Sequence, residues 1–399
     1  MTPASPLQLF EVGGAVRDAL LGLPSSDRDW VAVGATPEQL LALGYRPVGR
    51  DFPVFLHPQT GDEVALARTE RKSAPGYRGF NFHAAPEVTL EQDLARRDLT
   101  INAMARAADG HLIDPFGGER DLRAGVLRHV SPAFVEDPVR LLRVARFAAR
   151  FHSFSIAPET MALLRRMVVD GEVDALVAER VWQELARGLM EARPSRMLEV
   201  LRDSGALARL LPGVWLGVLP SVQPDEELRR VLDTCGSKQA PLAVRFACLV
   251  HDADDGPAIA ERWRVPSECK ELALLLARER GAIQQSRELD AHGAMQLLQR
   301  CDALRRPQRF ADLLQAVQCL EGDAAHSIDS IDGAKLLAAL AAAQAVASEA
   351  ASRQAMAEGA GGAAIGVAVQ AARERAIAAS GLFAPARDHG ADDTGQGEQ

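Results

Sequence analysis

The sequence predicts an α+β fold, in which a domain with a small mixed sheet is followed by an all-α C-terminal region. Up to residue 131, short apolar runs alternate with helical segments that end in glycine or proline. From residue 132 almost to the end, apolar side chains recur with the 3.6-residue period of a helix. The chain has 399 residues, 47% of them hydrophobic, which is enough for two or more domains.

The elements of the N-terminal domain follow from local patterns. Residues 7–12 are predicted as a short strand, and residues 15–21 as a helix closed by glycine and proline. Residues 30–33 are apolar on both faces, as in a strand that is covered on both sides. Residues 36–44 begin with a threonine cap and a proline and end with glycine, which predicts a second helix. Further strands are predicted at 53–57 and 63–68.

The rest of the chain consists of segments with amphipathic periodicity, which predicts antiparallel helices joined by short connections. The clearest segments are residues 137–151, 157–168, 178–190 and 194–211. A polar, proline-containing joint follows, and an alanine-rich helical segment precedes a tail with the composition of a disordered chain. The predicted domains are therefore residues 1–131, 132–217, 218–330, 331–380 and 381–399.

Composition restricts the class of protein. No apolar stretch is long enough to span a bilayer, and the N-terminus has no basic region followed by an apolar core, so neither a membrane protein nor a signal peptide is predicted. The five cysteines are scattered without a CxxC pair, which indicates free thiols in the cytoplasm. Because the net charge is −9, any binding of nucleic acid must rely on a local basic surface.

Asp27 and Asp29 stand one residue apart, directly before the apolar run 30–33. On a strand, residues i and i+2 point to the same face, and two neighbouring carboxylates need a cation between them. Mg²⁺ takes oxygen ligands of this kind, and the preceding Gly-Gly turn and helix start can bring backbone N–H groups close to phosphate. The combination fits a two-metal nucleotidyl transfer site. The alternative is that Asp27 caps a turn and Asp29 is a surface charge.

Four motifs in order resemble a known family. They are VGGAVRDALLGLPSSDRDWVAVG at residues 12–34, RRDLTINA at 96–103, IDPFGG at 113–118 and EDPVRLLRVARFAARF at 136–151. Together they resemble the polymerase-β-like nucleotidyltransferases, and more narrowly the class II tRNA CCA-adding enzymes and bacterial poly(A) polymerases. The resemblance implies a nucleotidyltransferase head in residues 1–131 and a helical neck in residues 132–217 that selects nucleotides and contacts tRNA.

The resemblance implies roles for several residues of the head. Asp27 and Asp29 match the catalytic metal ligands, and Glu70 is the candidate for a third catalytic carboxylate on a neighbouring strand. Its alternative is an exposed charge at a strand end. Gly14 and Arg17 match nucleotide-contact positions, where glycine allows close approach and arginine offers a forked donor pair to phosphate.

The RRDLTINA motif is expected to contact the incoming nucleotide. The resemblance implies that Arg97 binds phosphate and that Asp98 accepts from the ribose 2′-OH. A helix is predicted after the arginine pair, and Asn102, four residues after Asp98, lies on the same face of it as Asp98. The other interpretation is a capped helix with solvated arginines.

The 136–151 motif predicts a helix with one basic face, for which a solvated surface is the ordinary explanation. The resemblance implies instead that Asp137 and Arg140 select the base, while Arg143 and Arg146 lie towards the triphosphate. A carboxylate beside a guanidinium complements the amino donor and ring-nitrogen acceptor of cytosine and adenine. Uracil and guanine would place a carbonyl against the carboxylate, which costs ~1–3 kcal/mol or more in a dry site.

Residues 218–330 resemble a degenerate HD phosphohydrolase domain. His251 and Asp252 retain the HD pair, but the residues that follow depart from the family pattern, and later histidines are isolated. Because a metal site needs several ligands, we expect this domain to have lost hydrolytic activity.

The resemblance therefore predicts an enzyme, a CTP/ATP:tRNA nucleotidyltransferase that adds and repairs the 3′-terminal CCA of tRNA with Mg²⁺ as cofactor. The predicted partners are CTP, ATP and the acceptor stem and 3′ end of tRNA. Poly(A) addition is the first alternative, although the acidic chain and tail favour CCA addition. An HD-type phosphohydrolase and a non-catalytic tRNA-binding protein are the others. Candidate tRNA contacts beyond the nucleotide site are Arg165, Arg166, Arg180, Arg187 and Arg196.

Overall fold

The computed structural model describes residues 7–24, 28–48, 54–72, 80–214, 224–253, 255–322 and 332–383. The chain forms two compact units. Unit 1 comprises Met1–Asp225 and Ala258–Arg264, and unit 2 comprises Glu226–Pro257 and Val265–Gln399. The boundary expected at residue 218 is therefore displaced to 226. The head and the neck share one unit, and the ion pairs Arg143–Asp98 and Arg150–Asp18 join them.

Unit 1 contains all the described strands. They are β1 (Gln8–Val12), β2 (Asp29–Val33), β3 (Arg46–Val48), β4 (Val54–Leu56), β5 (Glu63–Leu66), β6 (Arg68–Lys72), β7 (Phe80–Ala84), β8 (Ala105–Arg106), β9 (Leu112–Ile113), β10 (Val126–Leu127) and β11 (Ser155–Ile156). Seven form one mixed sheet in the order β3-β4-β5-β2-β1-β8-β9, with β2 antiparallel to β1 and parallel to β5. Val31 and Ala32 belong to different hydrophobic clusters, which confirms that residues 30–33 form a strand covered on both sides.

The helices described in the first 214 residues are α1 (Gly14–Leu20), α2 (Pro37–Ala42), α3 (Leu90–Ala95), α4 (Gly118–Ala124), α5 (Val139–Arg150), α6 (Pro158–Val169), α7 (Ala178–Leu189), α8 (Ser195–Ser204) and α9 (Ala206–Leu210). Of these, α1, α2, α5, α6 and α7 begin and end close to the predicted positions, whereas α3 and α4 were not predicted. The single helix expected over 194–211 is wrong. Gly205 adopts a φ of 83° between α8 and α9, and this left-handed residue ends the first helix.

The described residues of unit 2 are helical. Its helices are α10 (Pro224–Ser237), α11 (Leu242–Leu249), α13 (Ser267–Gln284), α14 (Ala291–Arg300), α15 (Pro307–Glu321), α16 (Gly333–Gln344), α17 (Ser348–Ala357) and α18 (Ala363–Ala379), while most of α12 (Gly256–Arg262) belongs to unit 1. The predicted α+β fold class with an all-α C-terminal region is thus confirmed. In the described ranges no single helix is long and apolar enough to cross a membrane, although α16 and α17 pass that test together as a bent pair.

The tail does not begin at residue 381 as predicted. Phe383 is buried in the hydrophobic core of unit 2, and the Lys335 ammonium lies 4.3 Å from the centre of its ring. An aromatic ring that joins the core holds its segment in place, so the ordered body extends at least to this residue. Residues 384–399 lie outside the described part of the chain.

Gly118, at the start of α4, packs directly against the backbone of the RRDLTINA motif. Both oxygens of Asp114 accept from the first N–H groups of this helix, with Gly118 N at 2.7 Å and Glu119 N at 2.9 Å. A Cβ at Gly118 would lie 2.2 Å from the carbonyl oxygen of Thr100. The nearest atom belongs to the backbone, which cannot move aside as the end of a flexible side chain can, so the IDPFGG motif requires glycine at this position.

We expect Gly118→Ala to lower the free energy of unfolding by about 1–3 kcal/mol, because it forces two backbone segments apart. Nucleotide addition should also fall, because Thr100 lies between Asp98 and Asn102. Denaturant unfolding of the full chain measures the first effect. Gly281→Ala is the matched control: this helical glycine has open space around its Cβ position, and alanine should stabilise it slightly. Equal stability of the two variants would contradict the packing argument.

Candidate active site

A cavity of about 620 Å³ lies within unit 1. Nine of its described lining residues are arginines, whereas three are aspartates. The lining consists of Gly13, Gly14, Arg17, Asp29, Arg96, Arg97, Asp98, Asn102, Asp137, Arg140, Arg143, Arg146, Phe147, Arg150, Arg180 and Arg187. An acidic protein therefore concentrates positive charge in one concave site, which is the local basic surface that its composition required.

The cavity brings together most of the residues predicted from the motifs. Those that line it are Gly14, Arg17, Asp29, Arg97, Asp98, Asp137, Arg140, Arg143 and Arg146. Residues from three of the four motifs, spread over more than a hundred positions, thus face one space, whereas the IDPFGG motif contributes none of the described lining. Of the other predicted site residues, Asp27 lies outside the described residues, and Glu70 is described only by its backbone.

The arrangement of the strands bears on the two other predicted carboxylates, Asp27 and Glu70. Strand β2 begins at Asp29, which pairs with Val12 of β1 and Glu63 of β5, while Asp27 lies outside the described residues, so the side-by-side placement of the two carboxylates stays a prediction. Glu70 lies on β6, which pairs with β7 in a separate two-stranded sheet. The strands beside β2 are β1 and β5, so Glu70 does not stand on a neighbouring strand of the described sheet.

The turn between β1 and α1 allows an arginine to lie against the backbone. Gly13 has a φ of 73°, and a Cβ there would lie 2.9 Å from Arg97 Nη1. Arg17, one turn further on, is 3% exposed; its Nε donates to Asp18 at 2.9 Å and its Nη1 donates to Asn102 Oδ1. Burial lowers the pKa of Arg17, and the neighbouring Asp18 opposes this shift. The guanidinium of Arg17 is thus held by Asn102 of the RRDLTINA motif.

The Asp98 carboxylate accepts three hydrogen bonds at the cavity. Its Oδ1 accepts from Leu99 N at 2.8 Å and Asn102 Nδ2 at 3.0 Å, and its Oδ2 accepts from Arg143 Nε at 2.7 Å. Burial alone would raise the pKa of Asp98, but Arg143 and these hydrogen bonds together hold it well below its usual range. The predicted helix after the arginine pair is a single 3₁₀ turn, Thr100–Asn102, which still places Asn102 against Asp98.

Arg96 and Arg97 share a counter-ion that the motif analysis did not include. Asp93, which is fully buried on α3, accepts from Arg96 Nη2 at 2.8 Å and Arg97 Nη2 at 3.2 Å. Burial acts against the charged carboxylate, yet the two arginines lower the pKa of Asp93 overall. The Nε of Arg97 is buried without a hydrogen-bond partner among the described residues. The aspartate four residues before Arg97 was a local signal for this pair.

All four arginines of the basic face of α5 line the cavity and two of them are buried, which argues against a solvated stripe. Arg140 and Arg146 are 5% and 8% exposed. Arg146 Nε donates to Glu184 of α7 at 2.6 Å, and Arg143 lies 3.7 Å from the same carboxylate. Asp98 raises the pKa of Arg143, so this guanidinium stays charged. Glu184 is a site residue that the sequence reasoning missed, because its partners lie on another helix.

Asp137, the predicted base-selecting aspartate, forms an ion pair with an arginine of α7. Arg180 of α7 donates through Nη1 to Asp137 Oδ1 at 3.0 Å and through Nη2 to Oδ2 at 2.8 Å. Arg140 Nη1 donates to the carbonyl oxygen of Ala133 at 2.7 Å. Arg180 and Arg187 line the cavity, so they do not lie beyond the nucleotide site as predicted.

The comparisons with known proteins agree with this geometry. Residues 9–128 match the family model of the poly A polymerase head domain, and residues 153–216 match the probable RNA and SrmB-binding site of polymerase A. A multifunctional CCA protein of Cupriavidus necator is 56% identical over 372 residues, which cover 84% of this chain and 90% of that protein. One from Azoarcus sp. is 58% identical over 342 residues, covering 78% and 83%.

The chain belongs to the family of multifunctional CCA proteins. The resemblance to CCA-adding enzymes that the motifs indicated is therefore confirmed. Among solved structures, a tRNA-processing enzyme with CTP is 26% identical with a TM-score of 0.64, covering 93% of this chain and 97% of that chain. The Thermotoga maritima CCA-adding enzyme complexed with tRNA-CCA shares the fold, with a TM-score of 0.66 at 23% identity, covering 96% and 89%.

Members of this nucleotidyltransferase family generally use a divalent metal. The cavity offers the Asp29 carboxylate, an oxygen donor that suits such ions. In the described ranges no group of three or more histidine, cysteine, aspartate or glutamate side chains could hold a metal alone. Mg²⁺ is commonly bound by one or two carboxylates and the phosphates of the substrate, so a single described carboxylate beside an arginine-lined cavity fits that arrangement.

The HD pair of this CCA protein is intact as a contact in unit 2. His251 Nε2 lies 3.0 Å from Asp252 Oδ2, and His251 Nδ1 lies 2.8 Å from the carbonyl oxygen of Cys248. Asp252 also lies 3.5 Å from Arg280, which balances its charge. The loss of hydrolytic activity in this domain remains a prediction.

Proposed function

We propose that the arginine-lined cavity of unit 1 binds CTP or ATP and transfers the nucleotide to the 3′ end of tRNA, so that the chain adds and repairs the terminal CCA. The observation that carries this proposal is the cavity itself. Asp29, Asp137 and Arg140 line it together with eight further arginines. That arrangement suits a triphosphate held between a reaction centre and a base-reading pair.

The reaction requires the tRNA 3′-oxygen to attack the α-phosphorus while the bond to the leaving pyrophosphate breaks. Negative charge on the leaving oxygens is stabilised by fixed guanidinium groups that need no rearrangement at the moment of reaction. Arg17, Arg97 and Arg143 are candidates, since each is held by a carboxylate or amide partner. Asp29 and Asp27 would hold Mg²⁺, which when bound activates the attacking hydroxyl and neutralises the phosphates.

Asp98 is suited to select ribonucleotides. A carboxylate has about four acceptor positions, and three are used by Leu99 N, Asn102 and Arg143. Among the described contacts, one position on Oδ2 remains for a ribose 2′-OH. Because the pKa of Asp98 lies well below its usual range, the side chain stays an acceptor at all physiological pH values.

Several further assignments are part of this proposal. Residues 132–217 act as the nucleotide-selecting and tRNA-contacting neck, and residues 218–330 act as a body. Arg165 and Arg166, which are exposed on α6, and Arg196 on α8 contact the acceptor stem of tRNA. The protein works in the cytoplasm, since all five of its cysteines are free and buried. Glu70 supplies the third catalytic carboxylate in this proposal.

A tRNA transcript that lacks its 3′ CCA tests the proposed function. The protein is incubated with this tRNA and Mg²⁺ and with CTP, ATP or both, and product lengths are read on a sequencing gel. We expect two additions from CTP alone and a third when ATP is also present. A long ladder from ATP alone would identify a poly(A) polymerase, and no extension under any condition would refute nucleotidyl transfer.

A further inference from the structure

We propose that Arg180 is a positioning residue that fixes the plane of the Asp137 carboxylate and thereby sets how strictly the enzyme rejects UTP and GTP. The inference rests on the proposed function, in which Asp137 reads the base. Arg180 itself would not need to touch the base. It acts from α7 on the residue that precedes α5, across 43 positions of sequence.

The contact is a forked ion pair. Two nitrogens of one planar guanidinium meet the two oxygens of one carboxylate, at 3.0 and 2.8 Å. Both side chains are partly buried, with exposed fractions of 28% for Arg180 and 17% for Asp137. A bidentate pair of this kind defines the orientation of both planes, which a single hydrogen bond does not. The N–H of Val139 adds a third donor to Oδ1 at 3.2 Å.

The acceptor capacity that remains explains how the pair affects selection. Of about four acceptor positions on the Asp137 carboxylate, three are taken by Arg180 and Val139 N in the described contacts. One position on Oδ2 is left, and its direction is set by the plane of the pair. It can accept the amino N–H of cytosine or adenine. A carbonyl in that place would face an acceptor that cannot turn away.

Without the fork, the carboxylate can rotate about its last bond, and a water molecule can bridge it to a carbonyl. The energetic difference between correct and incorrect bases then shrinks. Lysine at position 180 keeps the positive charge but replaces the planar fork by a point charge on a flexible chain. Arg180→Lys therefore separates the orienting effect from the charge.

The test measures kcat/KM for single-nucleotide addition of CTP and of UTP to tRNA that lacks CCA. We expect Arg180→Lys to raise UTP use relative to CTP by about tenfold, the effect of one charge-assisted hydrogen bond, with a smaller change in kcat/KM for CTP. Arg209→Lys, which makes the same exchange in an exposed pair with Asp174, is the control and should keep the wild-type ratio. Circular dichroism of each variant shows that it is folded.

Asp137→Asn separates the base-reading role of Asp137 from the positioning role of Arg180. If this variant keeps the wild-type preference for CTP over UTP, the base-reading role of Asp137 in the proposed function is wrong. If it loses the preference while Arg180→Lys retains it, only the role of Arg180 is wrong. Loss of the preference in both variants supports both assignments.

Discussion

Replacing Asp29 by asparagine is expected to lower the rate of CMP addition at least ~1000-fold, equivalent to ~4 kcal/mol of transition-state stabilisation. The Asp29 carboxylate is the described oxygen donor at the β2 end of the cavity, and an amide of the same shape has no charge to hold a divalent cation. Binding of tRNA should change little, because arginines supply that affinity. Single-turnover addition and a filter-binding assay measure the two quantities.

The control for this prediction is Asp109→Asn. Asp109 is exposed in the turn before β9, where its Oδ1 accepts from His111 N at 3.0 Å, and asparagine can make the same contact. Activity within about twofold of wild type is expected there. An Asp29→Asn enzyme that adds CMP at a similar rate would show that Asp29 holds no catalytic metal. Loss of tRNA binding in parallel with activity would indicate a structural role instead.

The largest effect on stability is expected at Glu184. Its carboxylate is 5% exposed on α7 and lies 2.6 Å from Arg146 Nε, 3.7 Å from Arg143 and 3.9 Å from Arg187. Removing the anion takes the nearest carboxylate from Arg146, whose side chain is 10% exposed, and breaking a buried ion pair typically costs about 3–5 kcal/mol. We expect Glu184→Gln to destabilise unit 1 by this amount and to raise KM for CTP, because Arg143 and Arg146 lose their orientation.

Glu179→Gln on the same helix is the matched control. Glu179 is half exposed and pairs with Arg264, so its loss should cost no more than about 1 kcal/mol. Chemical denaturation followed by circular dichroism measures both variants, and KM for CTP is determined for each. If Glu184→Gln is no less stable than Glu179→Gln, the buried carboxylate is not the electrostatic centre of the α5–α7 contact.

The candidate site could be predicted where chemistry follows from neighbouring residues. Gly13, Gly14 and Arg17 lie within one turn, and Arg97, Asp98 and Asn102 lie within six positions, so a short motif contains most of each local arrangement. All six of these residues line the same cavity. The Asp93 pair with Arg96 and Arg97 was also within reach of local reasoning, since the spacing is that of one helical turn.

Other parts could not be predicted because their partners are distant in sequence. Arg180 was predicted to contact tRNA beyond the nucleotide site, and no role was predicted for Glu184. Their positions depend on how α7 packs against α5, which side-chain volumes along both helices decide. Arg150 is a similar case: it donates to Asp18 at 3.0 Å across 132 positions. No periodicity in the sequence distinguishes such a buried charge from a solvated one.

The sequence by itself determined the α+β fold class, the strand at residues 30–33 covered on both faces, and most of the residues that line the arginine-rich cavity. Each depends on interactions between residues near in the chain, such as caps, glycine turns and apolar periods. Only the tertiary structure decided which charges are buried, which carboxylate each arginine faces, and that β6 leaves the main sheet. These depend on packing between distant segments, where burial makes the choice of counter-ion worth several kcal/mol.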